Sequence, residues 1–236
     1  MHRSRSRFQS SKVRSSLELQ LLSESLGQCQ YPDQLLQIER GILGAGYYPG
    51  ARGYDASLSP IGGIMLLGRD FGTKDYYDRL CGTPARDETA ITWRHTRDIY
   101  LSILANVPLW CTNYLMGVRK SGSSKGNIKD KIDPLQWQTF EACCWRFLQA
   151  QVVLQRPRVV VVFGGFNREN LTVPDRFGLP ATDPFTFIFK NEESEHRALV
   201  TFADHPHSFI PESSKEAARI NARKVKALYE AALQQR

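Results

Sequence analysis

The sequence has no long apolar run. Its longest, Val159 to Phe163, spans five residues, against the roughly 20 that a membrane-crossing helix needs. That predicts a chain with no membrane partner, and no apolar signal-peptide core stands near its start. Cysteine is sparse too: Cys29, Cys81, Cys111, Cys143 and Cys144 make an odd number with no C-x-x-C pair. Such a set fits neither a disulfide framework nor a zinc knuckle. Cys143 and Cys144 fall within a helical pattern, where cysteine is most often small core filling. The expectation is a reducing, cytoplasmic protein that binds no metal. A broad basic surface is missing as well. The net charge is +7, but Arg3, Arg5, Arg7, Lys12 and Arg14 stand in the first 16 residues with no acid among them. This Arg/Ser-rich start fits a solvated tail, an organelle transit peptide or an arm touching phosphates.

What remains is ample for a core, with 236 residues at 42% hydrophobic content. The chain divides into a disordered basic tail (1–16), a helical and irregular extension (17–62) and an α/β domain (63–236). In the extension, 15–26 and 32–44 carry weak helical patterns. Ile64 to Leu67 reads as a short buried strand running into Gly68-Arg-Asp-Phe-Gly72. Trp93 to Leu104 has helical spacing and leads into a strand within Val107 to Tyr114. Gly117 to Asp133 reads as a flexible loop, basic through Arg119, Lys120, Lys125, Lys129 and Lys131. Pro134 to Gln155 is a long helix stopped by Pro157, and Val159 to Phe163 is a buried strand of the parallel-sheet type. Phe185 to Phe189 and Ala198 to Phe202 form a hairpin about a polar turn. Ser213 to Gln235 is an amphipathic helix opened by a Ser213/Glu216 capping box. Strands alternating with helices predict a three-layer α/β/α sandwich around a central, mostly parallel, four-stranded sheet.

In such sheets reactive groups gather at the carboxyl ends of the strands. Those exits offer Asp70 between Gly68 and Gly72, Asn113, a glycine turn from Gly164, and His205 followed by Pro206, His207 and Ser208. Each has a plain structural role taken singly: a turn carboxylate, a turn or cap amide, a satisfied histidine. Together they suit hydrolysis of an N-glycosidic bond. Glycines let a ligand approach the main chain, and an Asn side chain both donates to and accepts from a base edge. A carboxylate can activate water, while a histidine steadies the departing base.

Four stretches in this order resemble the uracil-DNA glycosylase superfamily: IMLLGRDFG (64–72), PLWCTNYLMGVRK (108–120), FEACCWRFLQAQVVLQRPRVVVVFGG (140–165) and TFADHPHS (201–208). The resemblance covers about residues 63–210. It implies that family's fold and a monofunctional DNA glycosylase that removes uracil or related deaminated bases in base excision repair, with no cofactor. Asp70 matches the water-activating aspartate, Asn113 the amide that reads uracil, and His205 the histidine that stabilises the uracil anion. Gly68, Arg69, Phe71 and Gly72 match the substrate-side turn, and Tyr76, Tyr77 and Trp93 are the candidates for the stacking aromatic, with Tyr77 the choice. Arg119, Lys120 and Lys125, with Ser208 and Phe209, match the DNA-gripping and wedging loops around a flipped base. The family's usual proline is Phe71 here, its thymine-excluding tyrosine is Gly72, and His207 is inserted between Pro206 and Ser208. The first two departures imply room beside C5 of the base, and the inserted His207 implies a re-aimed phosphate contact. Four placed cysteines for an iron–sulfur cluster are lacking. Two other readings stay open: a non-catalytic DNA- or protein-binding member, and a nucleotide or nucleoside hydrolase.

Overall fold

The computed structural model describes residues 28–37, 61–75, 94–122, 128–164, 183–205 and 212–234. Seven strands and two α-helices are placed among them: β1 (Leu35–Gln37), β2 (Ile64–Gly68), β3 (Leu109–Asn113), β4 (Gly117–Arg119), α1 (Pro134–Gln155), β5 (Val159–Phe163), β6 (Phe185–Lys190), β7 (Glu195–Ala203) and α2 (Glu212–Gln234). A π-helical turn, Thr96–Leu101, and a 3-10 turn, Ile128–Lys131, complete them.

The main sheet runs β3-β2-β5-β7-β6. β3, β2, β5 and β7 are mutually parallel, and β6 returns antiparallel along β7. The parallel set has the expected four strands, and the hairpin partner raises the sheet to five. Central strands buried on both faces must be apolar throughout, which is why β2 and β5 read IMLLG and VVVVF. Alternation then sorts their side chains. Met65, Leu67, Val160 and Val162 face α1 together with Trp110, Phe189 and Val200. Ile64, Leu66, Val159 and Val161 face the other way, onto Ile99, Tyr100 and Leu104 and onto Ala218, Ala222 and Val225 of α2. Helices thus cover both faces of a mixed sheet. Alanine on the buried side of α2 lets that helix lie close, and Tyr100 donates across the gap to Asn221 Oδ1 at 2.9 Å.

α1 begins where Asp133 caps it, accepting from the N–H groups of Leu135 (3.0 Å) and Gln136 (3.1 Å). Such a cap contributes about 1 kcal/mol. The helix stops at Arg156, which turns left-handed (φ 50°) and donates back to Val152 O at 2.8 Å.

Several expectations are corrected. Residues 35–37, inside the weak helical pattern, form a strand because β4 supplies a partner, with Leu35 opposite Arg119; local propensity yields to that ladder. The supposed basic loop is partly built in: β4 is wholly buried and Ile128 sits in the core. α2 starts at Glu212, so Ser213 lies within its first turn and not at its cap. Cys29 and Cys143 are disulfide-bonded, 114 residues apart. A spacing rule sees only neighbouring cysteines, so it missed a pair that the fold brings together, and the cysteines no longer argue for a reducing compartment. No helix among the described residues is long and apolar enough to cross a membrane.

Candidate active site at the strand exits

Parallel pairing brings the carboxyl ends of β3, β2, β5 and β7 to one edge of the sheet. The chain passes from β2 outward to β3 on one side and later returns to β5 on the other, so the strand order reverses at β2. In open α/β sheets the crevice for a ligand opens at such a reversal. Gly68 to Gly72 and Gly164 flank it.

Asn113 ends β3 directly opposite Gly68 of β2. A Cβ on residue 68 would run into Asn113 Oδ1. Glycine therefore gives the carboxamide its place. Asn113 as a whole is 3% exposed.

Beyond Gly68 the chain is laced to the segment after β3. Tyr114 N–H donates to Gly68 O (2.9 Å), Leu115 N–H to Arg69 O (2.8 Å) and Arg119 N–H to Gly72 O (2.9 Å). These bonds hold the exit turn as firmly as a strand and aim Asp70. Its Oδ2 accepts from Arg119 Nη2 at 2.8 Å and from Arg69 Nε at 3.0 Å. Its Oδ1 accepts the Gly72 N–H at 3.0 Å. Burial alone would push the Asp70 pKa up; the charges of Arg69 and Arg119 and the hydrogen bonds from Arg119 and Gly72 hold it below the ordinary value. Asp70 is thus an ionised carboxylate with one lone-pair direction left on Oδ1. The donors that keep it charged also drain its basicity.

At the next exit Gly164 adopts φ +80°, and its N–H donates to Ala203 O at 2.8 Å. A Cβ there would stand 3.5 Å from the Cβ of His205, so the half-buried histidine lies directly beside this turn. Asn113, Asp70, Gly164 and His205 therefore follow one another along a single edge, from β3 through β2 and β5 to β7.

The other expected residues divide. Phe71 is 6% exposed and packs into the core on the α1 side. Arg119, expected in an exposed phosphate-gripping loop, is 3% exposed and bonded to Asp70. Its partner lies 49 residues earlier in the chain, so no local pattern could have revealed the pair. Lys120, Lys129 and Lys131 are exposed, and Arg69 is half-exposed. Tyr76, Tyr77, Trp93, Lys125, Ser208 and Phe209 lie outside the described residues.

No protein-family model matches this sequence, and no curated protein matches it.

Proposed function

We propose that this chain is a monofunctional DNA glycosylase that hydrolyses the N-glycosidic bond of uracil or a related deaminated base. The observation that carries the reading is the row of Asn113, an Asp70 held ionised, and His205 along one edge of the sheet, at the exits of β3, β2 and β7. A base edge presenting N–H next to C=O could pair with both the donor and the acceptor of the Asn113 carboxamide. Asp70, charged through the neutral range, orients water by its remaining lone pair and faces the cationic sugar as the bond breaks. With its basicity drained, it acts more through charge and position than by pulling a proton away. His205 donates to the departing base and spreads its negative charge, the kind of contact whose loss costs about a hundredfold or more in rate. The exposed Lys120, Lys129 and Lys131 grip backbone phosphate in a salt-dependent way. No cofactor enters this chemistry.

The non-catalytic reading draws on one observation: Asp70 already has three donors, as a purely structural carboxylate would. The deciding experiment is cleavage of a labelled oligonucleotide bearing one uracil, followed by alkali, with Asp70→Ala and His205→Ala alongside. Alkali-dependent cutting by the wild type that drops about a hundredfold or more in both variants is the expected result. No cutting of uracil, hypoxanthine or xanthine in single or double strands leaves a binding protein. Cutting of free nucleosides alone selects the nucleoside hydrolase.

A further inference from the structure

Residues 28–37 lie as a strap against the side of β4 that faces away from Asp70. Cys29 fastens the strap to α1 through Cys143, with the two Cα atoms 5.8 Å apart. Leu35 of the strap is buried in the core, with Tyr31 and Leu36 packed against it. Tyr31 donates to Met116 O at 2.9 Å, and its ring centroid lies 5.2 Å from that of Phe140. Lys120 N–H donates to Gln34 O at 3.0 Å, and β1 pairs with β4 over three residues, Leu35 opposite Arg119. On the opposite side the same Arg119 holds the Asp70 carboxylate at 2.8 Å and the Gly72 carbonyl at 2.9 Å. β4 is thus clamped between the strap and the exit turn.

We propose that the Cys29–Cys143 disulfide is a redox-operated fastening for this strap, and that its state sets how firmly Arg119 holds Asp70. A three-residue ladder, one tyrosine bond and the burial of Leu35 make a small unit at the margin of the core, of the kind that opens locally before the main sheet does. The crosslink removes the freedom the strap would gain by lifting away. In the reductive step the thiolate of a dithiol attacks one sulfur and forms a mixed disulfide. Its second thiol then displaces the protein sulfur. Two electrons and two protons end on Cys29 and Cys143, and the reductant leaves as its own disulfide. The neighbouring Cys144 does not scramble this exchange. Its thiol is fully buried, faces the Met116 N–H at 3.4 Å, and is pushed up to about 12 by burial, so it stays protonated.

The consequence for catalysis rests on the glycosylase reading, whereas the mechanical link does not, so the test reads both. Full-length protein is compared before and after dithiothreitol, with thiols counted in denaturant and amide hydrogen exchange followed by peptide. Reduction is expected to expose two further thiols. Exchange should quicken roughly tenfold or more in 28–37 and 117–120, while β5 stays protected. Cys29→Ser and, as a second route, Cys143→Ser should show the same loosening without reductant. Uracil excision should fall in step. An unchanged thiol count, or unchanged protection at 117–120, overturns the proposal. Loosening with undiminished excision overturns its control of the site. Loosening with no excision in either form upholds the fastening and defeats the glycosylase reading instead.

Discussion

Two groups of carboxylates and arginines in this protein have nearly the same distances and quite different surroundings. At the exit of β2, Asp70 meets Arg119 at 2.8 Å and Arg69 at 3.0 Å. Along α2, Glu212 meets Arg219 at 2.9 Å and Lys215 at 3.0 Å, while Glu216 meets Arg219 at 3.1 Å and Arg223 at 3.3 Å. The Asp70 and Arg119 side chains are 10% and 3% exposed, whereas those of Glu212 and Arg223 are 69% and 61% exposed. Water and salt compete for every bond of the α2 network. They reach little of the pair at the strand exit. Bond length therefore does not rank these groups; access to water does. The exit pair fixes one geometry, and the α2 network keeps a helix surface charged.

The difference is open to experiment. The largest effect is expected from Arg119→Ala, which leaves a nearly buried carboxylate with only the half-exposed Arg69 and the Gly72 N–H. Loss of about 3–5 kcal/mol in a denaturant titration is the expectation for breaking a buried pair. A loss below about 1 kcal/mol would put the exit pair in the same class as the surface network. Next is Gly68→Ala, whose methyl meets Asn113 Oδ1. It should lower stability by about 1–3 kcal/mol and, on the glycosylase reading, weaken uracil excision more than general DNA affinity. Acid should separate the two sites as well. Because the folded Asp70 pKa lies below its ordinary 3.8, its contribution is fully present above that value and fades as pH falls toward the folded pKa. Asp70→Asn should flatten the fall in stability over that acid window, as read from melting curves at stepped pH. The smallest effect is expected from Glu216→Gln, with a melting temperature indistinguishable from wild type in moderate salt. A clear drop there would mean that the α2 network acts as a unit.

The parts legible in the sequence were those governed by short-range pattern. The bounds of α1 follow from Asp133, Pro134 and Pro157, and those of β5 from an unbroken valine run between arginine and glycine. The strand exits were equally readable, because Gly68, Asn113, Gly164 and His205 each terminate or follow an apolar segment. Contacts between distant segments were not legible. Arg119 stands among glycine, serine and lysine and so resembles loop, yet β1 and Asp70, far off in the chain, make it buried strand. Leu35 to Gln37 owe their extended form to β4, and Cys29 finds Cys143 only once α1 has docked. The burial of Phe71 on the α1 side of the core likewise came from packing that its place in the motif did not show.

Pairing β2 with β3 sets Gly68 against Asn113, the last residues of both strands. The ladder therefore works as a ruler for the site. A slip of one residue would carry the Asn113 carboxamide about 3.3 Å along the edge and turn it to the opposite face of the sheet. It would then stand over Leu67, whose side chain points toward α1. On the glycosylase reading, base recognition would be lost with every side chain intact. On that reading, discrimination at this edge would be a property of strand alignment as much as of any single residue, and mutations deep in the ladder would erase it from a distance.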